Sequence, residues 1–470
     1  MKQLKYIFII LLISLPALTA GAQSITDMVL ALQSQTIEGR WNGTMQVGQQ
    51  KLTMVFDIDT AKNEVSFGVV EQGAMGIPTT VEFLGPDSIS VKSEMAHCTY
   101  SGKLQAGILK GKFAQNGYEF PLDLTHGDIK FSRPQEPKEP FPYKTEEVRF
   151  RNEAAGVELA GTLNWPEGYK DGDKVPVVLF VTGSGKQDRY EGLFGHKPFL
   201  VLSYALAKAG IASLIYDDRG AGSSTGDFNS SNVADFAEDA AAGLAFLRNI
   251  PAFSKVGVIG HSEGGLIAYM LASQKKTDFI VSLAGPAMPI DSLIFVQLNT
   301  LGRLQGAGDD VFKSVAQARQ YLMAANGNSP ATEYFLNIKP SEYVSKVSCP
   351  VLALGGSLDP NVPAEMNFKA LKANLPGPVL DISGKDLDRT LSETDPAASG
   401  TASTASGTVS TAQGAAANAC YVIKLYPGLN HLFQHAQTGN PMEISSIEET
   451  ISPEVITDII TWIISICNDR

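Results

Sequence analysis

The stretch that most constrains this chain is Lys255-Val-Gly-Val-Ile-Gly-His-Ser-Glu-Gly-Gly-Leu-Ile-Ala-Tyr-Met-Leu-Ala272. Its first part is a β-branched run (Val256, Val258, Ile259) that reads as a buried strand. Its last part carries Leu266, Ile267, Met270 and Leu271 at helical spacing. Between them lies Gly260-His261-Ser262-Glu263-Gly264, a G-x-S-x-G pattern in strand–turn–helix context. A serine on so sharp a turn has a strained backbone, so the positions two before and two after it must be small. The turn lifts the Ser262 hydroxyl above the sheet at a helix N-terminus. There the Glu263 amide lacks an intrahelical acceptor and can donate to a developing oxyanion. Gly222-Ser-Ser-Thr-Gly226 matches the same pattern and nominates Ser224. That match lies beyond the strand-like Ala212–Tyr216 and is followed by polar Asp227–Ser231, which is loop context. Ser262 is therefore the candidate nucleophile.

The chain begins with Lys2 and Lys5, an apolar stretch from Tyr6 to Leu18, and Ala20-Gly-Ala22. This three-part pattern predicts a secretory signal peptide over residues 1–22, cleaved after Ala22, and hence a secreted or periplasmic protein. The apolar run is short for a bilayer span, so no transmembrane segment is expected in the mature chain. The 470 residues allow two or three domains. A formal charge of −12 argues against binding nucleic acid. The four cysteines form no C-x-x-C pair and the six histidines no metal-ligand pattern, so neither a metal nor a cofactor site is expected.

Residues 24–133 read as a small all-β domain. Alternating segments such as Trp41–Val47, Leu52–Ile58 and Ser88–Val91, punctuated by Gly, Asn, Asp and Pro, predict a barrel or sandwich with either a binding or a packing role. Residues 134–144 follow as a proline-rich linker, expected to be an extended spacer. From residue 145 to 470, strands alternate with helices. Val175-Pro-Val-Val-Leu-Phe-Val181 is apolar throughout, as a strand covered on both faces would be. This alternation predicts an α/β architecture, a mostly parallel sheet with helices on both sides. Residues 286–344 interrupt it with helical segments read as a cap over the carboxyl ends of the strands. Residues 389–418 are low in complexity and are expected to form a mobile excursion. Pro453–Cys467 closes the fold as a helix with Val455, Ile459 and Ile463 on one face.

A serine nucleophile needs a base within reach and a carboxylate to orient that base. Asp359 sits in Gly355-Gly-Ser-Leu-Asp-Pro after one strand, and His431 in Pro427-Gly-Leu-Asn-His after a later one. The order Ser262, Asp359, His431 at three strand ends suits a nucleophile–acid–base triad. His435 is a rival base, and Asp381, Asp386 and Asp388 are rival acids on less strand-bound segments. The loop Thr182-Gly-Ser-Gly-Lys-Gln-Asp-Arg189 should supply the second oxyanion donor, the Ser184 amide. Asp217-Asp-Arg-Gly-Ala-Gly222 ends the next strand and is expected to brace that loop through charge pairs.

Taken together, Thr182-Gly-Ser-Gly, Asp218-Arg-Gly-Ala-Gly-Ser-Ser224, Gly-His-Ser262-Glu-Gly-Gly, Gly-Ser-Leu-Asp359 and Pro-Gly-Leu-Asn-His431 resemble the α/β-hydrolase superfamily. The resemblance covers about residues 145–470. It is strongest to secreted serine aminopeptidase-like and dienelactone hydrolase-related members, in which a β region like the upstream one sometimes occurs as an accessory domain. Two departures stand out: Thr182-Gly183 replaces the usual His-Gly of the oxyanion loop, and an Ala/Ser-rich stretch precedes the final strand. The resemblance implies a serine hydrolase of carboxylic esters acting on a small-molecule substrate. The alternatives are an exported aminopeptidase or dipeptidyl peptidase, and a binding protein with a vestigial hydrolase. The cap has few acids, and Glu263 is expected to be committed to the elbow. Met288, Ile290, Leu293, Ile294, Phe295 and Leu298 are therefore expected to line an apolar pocket.

Overall fold

The computed structural model describes residues 36–47, 50–70, 74–129, 132–385, 387 and 421–468. The expected signal peptide and the 389–418 insertion lie outside them. The chain divides into two compact units, one ending at Lys130 and the other starting at Phe131.

Among the described residues, the first unit is one antiparallel sheet of ten strands between Gly39 and His126. The strands at the two ends of its path, Ala74–Pro78 and Thr80–Leu84, are joined by Thr79 alone. The two edges of the sheet therefore converge and it curls like a barrel. Its interior is aromatic: Trp41 and Phe56 are fully buried, and the rings of Phe56 and Tyr100 lie 4.7 Å apart. The indole N–H of buried Trp41 donates to the Ile37 carbonyl at 3.0 Å.

The second unit contains a nine-stranded mixed sheet. In spatial order its strands are Thr145–Asn152, Val157–Asn164, Ala212–Tyr216, Val175–Val181, Phe253–His261, Phe279–Leu283, Val351–Gly356, Tyr421–Tyr426 and Val379–Asp381. The first two pair antiparallel with each other, Val157–Asn164 pairs antiparallel with Ala212–Tyr216, and the remaining pairs are parallel. Period two explains the apolar run. Val177, Leu179 and Val181 enter one core with the helices Val233–Arg248 and Glu263–Ser273, whereas Val178 and Phe180 enter the other. That second core also takes the helices Pro198–Lys208 and Pro453–Asn468, with Val455, Ile459 and Ile463 completely buried. Four helices, Ile290–Leu304, Val315–Ala325, Pro330–Asn337 and Ser341–Val344, fall between Leu283 and Val351.

The proline-rich segment is not a free spacer. Arg133 donates to the Phe194 carbonyl at 2.7 Å. Gln135 exchanges hydrogen bonds with the backbone of Thr450 and Ile451, and Lys197 pairs with Glu136. Polar side chains beside the prolines find partners elsewhere in the second unit, which composition alone does not reveal.

Candidate active site

The elbow is built by close backbone approach. Ser262 has φ +53° and ψ −119°, a conformation that costs a non-glycine residue about 1–3 kcal/mol and must be held by its surroundings. Its N–H donates to the Leu283 carbonyl at 2.8 Å, and its carbonyl accepts from Gly265 at 2.9 Å. The flanking glycines are obligatory. A Cβ on Gly260 would lie 2.0 Å from the Gly264 carbonyl oxygen, and one on Gly264 would lie 2.1 Å from that of Val181. The helix Glu263–Ser273 starts at once, so the Glu263 N–H has no acceptor within its own helix.

The loops carrying Asp359 and His431 are zipped together. Leu358 donates to the Leu429 carbonyl and Ser357 to that of Tyr426, each at 2.9 Å. A Cβ on Gly356 would meet the Leu429 carbonyl oxygen at 2.2 Å, so this contact also needs glycine. Asn430 shapes the turn at His431: its Oδ1 accepts from the amides of Leu432 and Gln434 at 3.0 Å. Within this frame Asp359, its side chain wholly buried, lies with Oδ2 2.7 Å from His431 Nδ1. Its Oδ1 accepts from the backbone of Asn361 at 2.8 Å and of Val362 at 2.9 Å.

The other nominated residues fall elsewhere. His435 is exposed and paired with Glu449, and Asp381 is paired with Lys372. Asp386 and Asp388 lie outside the described residues. The Ser224 hydroxyl donates to the Asp217 carbonyl at 2.7 Å and accepts from the Ala160 amide at 2.9 Å, a bracing role between loop and strand.

Ser262, His431, Glu263, Ser184 and Gly183 line one cavity of about 550 Å³. The loop carrying Ser184 is braced from behind. Asp218 accepts from the Thr182 hydroxyl at 2.8 Å and from the Gln187 amide at 2.9 Å. Burial, with some contribution from the charges of Glu191 and Glu263, pushes the Asp218 carboxyl up to about 7. Asp217 forms a two-pronged pair with Arg189. Arg219 turns away from this loop and pairs with Asp239 on the helix Val233–Arg248.

Sequence reasoning missed Glu191, a buried loop residue at φ +54°. Its Oε1 accepts from the Gly183 amide at 2.6 Å and lies 2.9 Å from His261 Nδ1. His261 Nε2 in turn contacts the His431 carbonyl oxygen at 3.0 Å. One chain of contacts thus links the Ser184 loop, the elbow and the His431 loop. Burial alone would lower the His261 pKa, but the Glu191 carboxylate outweighs it and raises it. The signal was the histidine beside the nucleophile in the motif itself. Its partner could not be found from spacing.

Two expectations about the pocket need correction. Of the six apolar residues expected to line it, Leu293 and Ile294 do so. Met288 and Ile290 turn into the core, and the cavity wall is completed by Gln297, Leu322, Thr332 and Phe335. The Glu263 side chain is not committed to the elbow. Glu263 is one of the residues lining the cavity, its Oε2 accepts from the Ser184 hydroxyl at 3.3 Å, and burial pushes its pKa up to about 7.

Residues 197–324 match the model of the serine aminopeptidase S33 family. The chain is 26% identical over 213 residues to esterase EstD of Thermotoga maritima, covering 43% of this chain and 50% of that one. It is 28% identical over 178 residues to mouse dipeptidyl peptidase 8, covering 36% and 20%. The chain thus spans half, or less, of the length of these curated relatives. Among solved structures it is similar to Est1E from Butyrivibrio proteoclasticus bound to ferulic acid, at a TM-score of 0.42 and 15% identity, covering 69% of this chain and 100% of that one. The family model and EstD are both of hydrolases.

Proposed function

We propose that this protein is an exported serine hydrolase that cleaves carboxylic esters through an acyl-enzyme on Ser262. The observation that carries the reading is the strained Ser262 turn opening on the same cavity as His431, itself bonded to Asp359. In this reading Asp359 holds the His431 ring with Nδ1 protonated, leaving Nε2 to take the Ser262 proton during attack on the substrate carbonyl. The oxyanion is held by the amides of Glu263 and Ser184, the acyl-enzyme forms as the alcohol leaves, and water then releases the acid. The Asp218 and Glu191 contacts position the Ser184 loop for this task.

Two observations favour a peptidase as the second reading: the match to dipeptidyl peptidase 8 and an acidic residue, Glu263, among those lining the cavity. The two are separated by comparing p-nitrophenyl esters of short acids with aminoacyl and dipeptidyl p-nitroanilides, each against its own background rate. The esterase reading expects the larger enhancement on esters. A larger enhancement on an unblocked aminoacyl anilide, removed by blocking its amine, replaces it with the aminopeptidase reading.

A further inference from the structure

Glu263 has two functional groups at the site. Its backbone amide belongs to the elbow, while its carboxyl accepts from the hydroxyl of Ser184, and both residues line the cavity that holds the nucleophile. A carboxylate accepts several hydrogen bonds, so this one retains capacity for a ligand. The charges facing it are few. Glu191 and His261 satisfy each other, His431 is bonded to Asp359, and Asp218 stands behind the Ser184 loop on Thr182 and Gln187. From the helices over the cavity come Leu293, Ile294, Gln297, Leu322, Thr332 and Phe335, all uncharged. Among the described residues no lysine or arginine lines the cavity. A negative group placed there finds no counter-ion, whereas a positive group finds Glu263.

We propose that the Glu263 side chain is a specificity determinant that selects esters carrying a cationic group close to the scissile bond over neutral isosteres, and disfavours anionic ones. The inference rests on the esterase reading and supplies its substrate class. Because the carboxyl titrates near neutrality, the preference grows as pH rises through about 7 and Glu263 becomes charged.

The test uses esters of fixed charge, so that substrate ionisation plays no part. On the acyl side, the p-nitrophenyl ester of 4-(trimethylammonio)butyrate is compared with that of 5,5-dimethylhexanoate and with a glutarate half-ester. On the alcohol side, acetylcholine is compared with 3,3-dimethylbutyl acetate. The readout is the ratio of kcat/KM within each set, after subtraction of background, so a general loss of rate in a variant cancels. The wild-type protein should favour the cation about tenfold or more at pH 8.5 in at least one set, and by a smaller factor at pH 5.5. Glu263→Gln should erase that preference, and Glu263→Asp should keep part of it. Turnover with cationic and neutral esters equal in both sets, or a preference that survives Glu263→Gln, overturns the inference and leaves the esterase reading standing. Absence of turnover of every ester overturns both.

Discussion

Asp359→Asn exchanges a single oxygen for an NH₂ group at the centre of the proposed triad. Asp359 Oδ1 accepts from two backbone N–H groups, those of Asn361 and Val362, while Oδ2 lies 2.7 Å from His431 Nδ1. An asparagine must keep its carbonyl oxygen on the two amides, because turning the NH₂ toward them sets donor against donor. The NH₂ then faces His431 Nδ1, which has to accept, and the ring proton moves to Nε2. In that tautomer Nε2 has no lone pair for the Ser262 proton. The expected loss in kcat is about 10⁴-fold, or about 5 kcal/mol of barrier. Stability should change by less than about 1 kcal/mol, since every hydrogen bond of the loop retains a partner. Asp359→Ala, by contrast, strands both amides and should cost about 2–4 kcal/mol. Initial rates on a short p-nitrophenyl ester and urea unfolding of the same preparations decide the matter. A folded Asp359→Asn variant that keeps more than about a tenth of the activity would refute the orientation argument.

Ser224→Ala should cost about 1–3 kcal/mol in urea unfolding, because it leaves the Ala160 amide without its acceptor; no loss would show that the contact is dispensable. Asp218 and Glu263 titrate near 7 in the fold against ordinary values of 3.8 and 4.5, so folding favours their acid forms. That contribution is complete below about pH 4 and is lost as pH rises through 7. Stability should therefore fall by about 1–3 kcal/mol between pH 6.5 and 8.5. His261, raised by Glu191, acts in the same direction, and buried His196, lowered to about 4, opposes it only at the low end, where the unfolded histidine still binds protons. Asp218→Asn should flatten the slope, and an unchanged slope in that variant would remove Asp218 from the account.

The parts that were legible in the sequence are those whose physics is local. The elbow announces itself because a strained serine needs glycines two residues away, and a Cβ on Gly260 or Gly264 would meet backbone at about 2 Å. Val175–Val181 reads as doubly covered because each of its faces must find a core. Glu191 was invisible for the opposite reason: it lies in an irregular loop, and its partners Gly183 and His261 are 8 and 70 residues away. The short strand Val379–Asp381 offers too few residues for alternation to be seen. Periodicity could not fix where the chain turns into the helix Ile290–Leu304, so it could not say that Met288 and Ile290 face the core. The role of the Glu263 carboxyl was obscured because the motif explains the backbone of that position and is silent about its side chain. Tethering of residues 133–136 likewise depends on loops distant in sequence.

The central claim is that Ser262 is the nucleophile, and covalent trapping tests it most directly. The full-length protein is incubated with a fluorophosphonate probe, and the adduct is located by peptide mass spectrometry, in parallel with Ser262→Ala and Ser224→Ala. The account predicts a single adduct on Ser262, its absence from Ser262→Ala, and its persistence in Ser224→Ala. An adduct on another residue, or labelling that survives Ser262→Ala, would contradict it.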